Sequence, residues 1–416
     1  MARTDVIVLG AGIVGVSVAL HLVKRGAVVA LLDRGEPGRG TSYGNTGIIE
    51  GNTLFPPSFP ARLAALLRIA LKRAPEADYH LSALARIAPW LLAFRRHSSP
   101  AQLMAFMTTM RPLFERAITE HESLMAESGA RRWMRHTGWL KLYRSQAAFA
   151  ATASERALAE DAGMPVQVMD ADGAIALEPA LIPVFRHAVF LEDAASVSNP
   201  LAVTRAYAAR FMALGGIVVK GDARTLHRQG TRWRVDTAEG AVDGADAVVT
   251  LGPWSPDLLA PLGIELPLAV KRGYHLHCRP RDGAGLARPV LDADNGCCLA
   301  PMDQGIRVTT GAEFAARDAA PTPAQLNRVL PALRGLFPLD KPVEDAPWVG
   351  SRPCLPDSRP VIGRAPSQSG LWLASGHAHW GLTLGPVTGR LIAEMMVGEA
   401  PFCDPAPYAA ERFART

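Results

Sequence analysis

Apolar residues first appear in an unbroken run, Asp5-Val6-Ile7-Val8-Leu9, with no polar alternation, as expected of a strand buried on both faces. Helical spacing follows through Val16, Ala19, Leu20 and Val23 and stops near Gly26. A second apolar run, 27–32, ends at Asp33. Further on, 56–130 reads as helices interrupted by prolines. One stretch puts Leu63, Leu66, Leu67 and Ala70 on one face and Arg62, Arg68, Lys72 and Arg73 around the other. A longer stripe of Leu103, Phe106, Met107, Met110, Leu113, Phe114, Ala117 and Ile118 has the spacing of a core-facing helix. Two strand-rich stretches, 132–144 and 164–192, precede a helix through Leu201, Val203, Ala206, Phe211 and Leu214. That helix is closed by Gly215-Gly216. After it come a strand at 217–219, hairpins near Gly230 and Gly240, and a buried strand at 246–251. A period-two strand follows at 266–277, and a last helix carries Val387, Leu391, Ile392 and Met395.

Between the first strand and helix lies Gly10-Ala11-Gly12-Ile13-Val14-Gly15, a G-x-G-x-x-G motif. The first glycine permits a tight turn, the second lets backbone approach a pyrophosphate, and the third lets helix and strand pack closely. Amides at the helix start, Ile13 and Val14 among them, face a phosphate with the positive end of the helix. Asp33 stands where an acid can accept ribose hydroxyls. Strand, turn, helix, strand and acid in this order predict a dinucleotide site, FAD or NAD.

Composition narrows the classes. A chain of 416 residues predicts two connected domains. The net charge is +5, but no Lys/Arg block with interleaved aromatics appears, so nucleic acid is not an expected partner. Cys278, Cys297, Cys298, Cys354 and Cys403 form no C-x-x-C pair and no metal spacing with His, which predicts free thiols and no metal. With no apolar run near 20 residues and no basic-then-apolar leader, a cytoplasmic protein is expected. The basic 62–73 stretch has two readings: a solvated face over a packed apolar one, or a peripheral contact with the inner membrane.

The small-residue loop Thr41-Ser42-Tyr43-Gly44-Asn45-Thr46-Gly47 resembles the T-S-x-x-N-x-G segment of the FAD-dependent D-amino-acid oxidase superfamily, and within it the D-amino-acid dehydrogenases. There the segment contacts the flavin ring and pyrophosphate, which implies roles for Thr41, Ser42, Asn45 and Gly47, with Ile48 following and Arg34 beside the acid. The stretch 248–255 resembles the segment returning to the flavin domain. It implies that Ala223 meets the adenine, while Gly252 and Trp254 lie near the cofactor. Pro253 replaces a residue with an N–H. The run from Gly350 to Gly363 is similar to the family's G-x-R-P-x-x-P-D-x-x-P-x-x-G, whose arginine binds the substrate carboxylate. The resemblance gives that role to Arg352, whose guanidinium offers two parallel donors. A structural pairing of Arg352 with Asp357 is the competing reading. The segment from Gly376 resembles G-H-x-x-x-G, opening a helix whose first amides, Gly381, Leu382 and Thr383, meet the flavin's pyrimidine edge. His377 reads as structural, and His379 as a substrate-side candidate.

On strand 266–277, alternation puts Arg272 and Tyr274 on one face and Lys271, Gly273, His275 and His277 on the other. Similarity to the family's P-x-K-G-Y segment implies that Arg272 or Tyr274 gives a second carboxylate contact. Glu50 and Asn52 sit just beyond the flavin loop, where relatives begin to line the pocket. The expected fold is a Rossmann-type α/β FAD-binding domain from discontinuous segments (1–60, 195–265, 345–416). An α+β substrate domain (61–194, 266–344), with a mainly antiparallel sheet and helices, is inserted. The expected activity is oxidative deamination of a small amino acid, foremost a D-amino acid, by hydride transfer from the α-carbon to flavin N5. The resulting imine hydrolyses to a 2-oxo acid. A secondary-amine oxidoreductase of the sarcosine, proline or hydroxyproline type, as a subunit of a complex or alone, is the alternative; a non-catalytic dinucleotide-binding protein is the second. No second G-x-G-x-x-G appears, so electrons are expected to leave to a quinone or another protein.

Overall fold

The buried apolar runs become neighbours in one parallel sheet. Strand Ala2–Leu9 lies between Val29–Asp33 and Val242–Val249, with Ile217–Lys220 beyond the one and Leu371–Ser375 beyond the other. The structure is a computed structural model describing residues 2–51, 56–60, 62–161, 163–164 and 166–414. Antiparallel strands His227–Gln229, Arg232–Val235 and Val361–Arg364 complete this sheet. Both of its faces are covered by apolar clusters, which is why the strands read as continuous apolar runs.

Helices Ile13–Lys24 and Gly381–Val397 cross closely on one face. A Cβ on Gly389 would sit 2.6 Å from the Ser17 backbone, so the crossing depends on that glycine. Helix Pro100–Ser128 packs on the second of these and on helix Pro200–Ala213. Phe106, Met107, Met110, Leu113, Phe114 and Ala117 share one core with Trp380, Val387 and Leu391, so the Met/Phe stripe is core.

The second sheet is mainly antiparallel. Its long strand Ala269–Pro280 pairs antiparallel with Gly305–Thr309, Ala312–Phe314, Leu339–Pro342 and Trp348–Cys354. The sheet continues through Cys297–Met302, Val290–Asp292, Trp139–Tyr143, His187–Leu191 and Val166–Asp170. The discontinuous nucleotide-binding sheet and the mainly antiparallel partner match the fold class expected from sequence.

Three details differ from expectation. The stretch 164–192 holds a helix, Ala171–Leu177, started by Asp170, whose side chain accepts from Gly173 N at 2.9 Å. Residues 348–354 belong to the second sheet, and helix Pro100–Ser128 packs with the first, whereas the sequence boundaries place each on the opposite side. Helix Leu63–Ala70 half-buries Leu66 but leaves its other leucines exposed. Leu63, Leu67 and, just after it, Leu71 are 71%, 53% and 61% exposed, beside exposed Arg62, Arg68, Lys72 and Arg73. Among the described residues, no helix is long and apolar enough to cross a membrane.

Candidate active site

The carboxyl ends of strands Ala2–Leu9, Val29–Asp33 and Val242–Val249 open onto a cavity of about 1140 Å³ that runs to the second sheet. Ligands of open parallel sheets bind at this edge. At the sheet end, Gly10, Gly12, Ile13, Val14, Asp33, Arg34, Ala223, Gly252 and Trp254 all line it. Asp33 is held in place by the amides of Ala11 (2.7 Å) and Gly35 (2.9 Å), one on each carboxylate oxygen. Each oxygen keeps a lone pair for a hydroxyl. Gly15 is not in the wall. A Cβ there would meet Gly10 O at 1.8 Å and Thr250 Oγ1 at 2.4 Å, so this glycine serves helix–strand packing. Arg34 lies over the Trp254 ring at 4.7 Å.

The middle of the cavity is lined by Thr41, Ser42, Asn45, Ile48, Gly381, Leu382 and Thr383. Two helices begin here. Neither N-cap residue, Gly12 or Trp380, accepts a bond through its side chain, and neither first turn contains an acid. Two helix starts with amides to spare are suited to a doubly anionic pyrophosphate and to charge on a reduced flavin. Ser42 Oγ accepts from Ile13 N at 3.0 Å, and Asn45 Nδ2 donates to His379 O at 3.1 Å. Thr41 Oγ1 donates to Ser351 O at 2.9 Å, tying this loop to the strand that carries Arg352. His121 supports the second helix start through Leu382 O at 2.8 Å, and burial pushes its imidazole down to about 4. Gly47 and Gly376 lie outside the wall; a Cβ on them would meet Val197 O at 2.3 Å and Leu355 Cδ1 at 2.4 Å, so both serve turns.

At the far end stand Arg352, Lys271, His379 and Glu50. Arg352 donates to Gly311 O (2.9 Å) through Nη1 and to Thr310 O (3.2 Å) through Nη2. These bonds set the guanidinium plane and leave other N–H groups unused. A Cβ on Gly273 would sit 2.4 Å from Arg352 Nη2, so that glycine makes room for the guanidinium. Asp357 pairs with Arg359 (3.0 Å) and Arg412 (2.9 Å) rather than Arg352, which removes the structural-pair reading. The His379 ring is pushed down to about 3 by burial, with the charges of Arg352 and Lys271 acting in the same direction. His377 bonds Thr388 Oγ1 at 3.0 Å inside the turn and is also held near 3 by burial. Glu50 Oε2 accepts from Trp380 Nε1 at 3.1 Å. Asn52 lies outside the described residues.

Arg272 requires a correction. It is absent from the cavity wall, fully buried, ion-paired with Glu313 at 2.9 Å and bonded to Tyr274 Oη at 2.8 Å. Tyr274 borders the cavity, but its hydroxyl donates to Glu313 at 2.9 Å. The opposite face of this strand, with Lys271 and Gly273, meets the cavity. Sequence alternation defined both faces, yet only the partner strand Trp348–Cys354 selects one, by placing Lys271 directly opposite Arg352. Trp348, which also lines the cavity, was not singled out. His275 stacks on its ring at 4.8 Å, and His277 bonds Glu344 and Arg307. Among the described residues, no group of three His, Cys, Asp or Glu is placed to hold a metal ion.

A cavity that joins the carboxyl edge of a parallel sheet to a half-buried guanidinium has the features of a dinucleotide-dependent enzyme. A family model for DAO, FAD dependent oxidoreductases, matches residues 5–395. The D-amino-acid oxidase of Bradyrhizobium diazoefficiens is 29% identical, covering 98% of both chains. The D-amino acid dehydrogenase of Cereibacter sphaeroides is 31% identical, covering 98% of this chain and 95% of that protein. Glycine oxidase from Geobacillus kaustophilus superposes with a TM-score of 0.76 at 22% identity over all of both chains. The chain belongs to the DAO family of FAD-dependent oxidoreductases, and FAD is its cofactor.

The buried Arg272–Glu313 pair gives a first prediction. Glu313→Ala leaves a buried cation uncompensated and is expected to cost about 3–5 kcal/mol, read from urea unfolding. A loss under about 1 kcal/mol would mean that Arg272 is not held as described.

Proposed function

We propose that this chain oxidises the carbon–nitrogen bond of a small α-amino acid, foremost a D-amino acid, giving an imine that water hydrolyses to a 2-oxo acid. The observation that carries the reading is Arg352: it lines the cavity with its plane set by two carbonyls and with donors left for a carboxylate. Bound FAD supplies the two-electron acceptor. The protein's part is orientation and electrostatics. Arg352 holds the carboxylate and so fixes the position of the α-carbon, worth several kcal/mol in reactions of this kind. The helix start at Gly381, Leu382 and Thr383 offers amides where negative charge develops. His379, kept neutral, adds a polar but uncharged wall beside the clamp. Trp348 and Trp380 add aromatic wall to the cavity.

Electrons leave to a quinone or a protein acceptor. The reading is supported by the single dinucleotide motif and by the exposed leucines of 63–71 ringed by Arg62, Arg68, Lys72 and Arg73, which suit a peripheral contact with an anionic membrane. Co-sedimentation with phosphatidylglycerol vesicles tests that contact. Binding should weaken with salt and be lost in Leu63→Asp/Leu67→Asp; equal binding by the double variant would reject it.

Arg352→Met tests the clamp. With FAD content unchanged, kcat/KM for anaerobic flavin reduction by an amino acid should fall by about 10- to 150-fold, the loss of about 1.5–3 kcal/mol from a charge-assisted bond. An unchanged kcat/KM would reject the assignment.

A further inference from the structure

Arg352 is not the cavity's only cation at this end. Lys271 stands directly across from it in the paired strands Ala269–Pro280 and Trp348–Cys354, and both line the cavity. Directly opposed residues share a face, with Cβ atoms roughly 5 Å apart. Its backbone is bonded in the strand ladder, but among the described residues its ammonium makes no hydrogen bond or ion pair. Its ammonium instead lies over the rings of Phe94 (4.3 Å), Trp90 (4.9 Å) and Phe314 (5.9 Å). The rings favour a cation but carry no counter-charge. Neighbouring Cys354 supplies none either, because burial raises its pKa and keeps it a thiol. The side chain is half-buried at the cavity wall, and a ligand seated there would strip its remaining water; a cation so desolvated without an anion is costly. One guanidinium is enough for one carboxylate. A second, unpaired cation beside it therefore calls for a second anion from the ligand.

We infer that the cavity takes amino acids of the aspartate and glutamate class, with the α-carboxylate on Arg352 and the side-chain carboxylate on Lys271. The inference rests on the amino-acid oxidation proposed above and narrows its substrate.

Matched pairs test it: aspartate against asparagine and glutamate against glutamine, in both enantiomers, by anaerobic flavin reduction of the holoenzyme. The acid should exceed its amide by about tenfold or more in kcat/KM, and Lys271→Met should bring that ratio near one. A second readout needs no turnover and no variant. 2-Oxoglutarate, followed by its perturbation of flavin absorbance, should bind the oxidised holoenzyme about tenfold or more tighter than 2-oxovalerate, which lacks the second acid. Amides that match or beat acids, an acid preference that survives in Lys271→Met, or equal binding of the two oxo acids would overturn the inference. If neutral amino acids reduce the flavin under those outcomes, the broader function stands without it. If no amino acid of any kind reduces the flavin, both fall.

Discussion

The pairing of strand Ala269–Pro280 with strand Trp348–Cys354 is the constraint on which the rest depends. Its register sets Gly273 opposite Gly350 and Lys271 opposite Arg352. Gly273 leaves room for the Arg352 guanidinium, and the carbonyls of Thr310 and Gly311 set its plane. A slip of one residue would turn Arg352 to the other side of the sheet. The same strand also ties the two sheets together. Ser351 O accepts from Thr41 in the loop that follows the phosphate-binding region, and Cys354 bridges to His377 in the turn before the last helix. Arg352, the Thr41 loop and the turn before the last helix are thus fixed against one another through a few hydrogen bonds.

The electrostatics of the cavity follow from that placement. Its sheet end offers helix amides and the Asp33 carboxylate, suited to phosphates and ribose. Its far end offers cations and rings. Burial keeps His121, His377 and His379 uncharged, so the imidazoles shape the wall without adding charge. Burial also lowers the proton affinity of Arg352 and Lys271, a penalty on their charged forms that a nearby anion would offset.

Much of this was legible in the sequence because it follows local rules. Gly10, Gly12 and Gly15, the apolar runs beside them and Asp33 answer to turn geometry, helix–strand distance and ribose chemistry. The Phe106–Phe114 stripe follows helix period. What escaped depended on distant partners. Period two separates Lys271 from Arg272, but the choice of face came from the partner strand that sets Lys271 opposite Arg352, while Glu313, 41 residues on, takes Arg272 into a buried pair. The leucines of 63–71 have a helical spacing that says nothing of whether another surface covers them, and among the described residues Leu63, Leu67 and Leu71 are left exposed. Helix Pro100–Ser128 follows the flavin loop at a distance in sequence, yet packs on the cofactor side because Trp380 offers it an aromatic face, with Phe106 and Phe114 each at 5.5 Å.

The position of Arg352 can be tested by a crystal structure of the FAD-loaded protein with an inert carboxylate such as a 2-oxo acid. A carboxylate is expected within hydrogen-bonding distance of Arg352, with the adjoining carbon facing the isoalloxazine ring. A carboxylate bound elsewhere, with Arg352 turned from the ring, would contradict it.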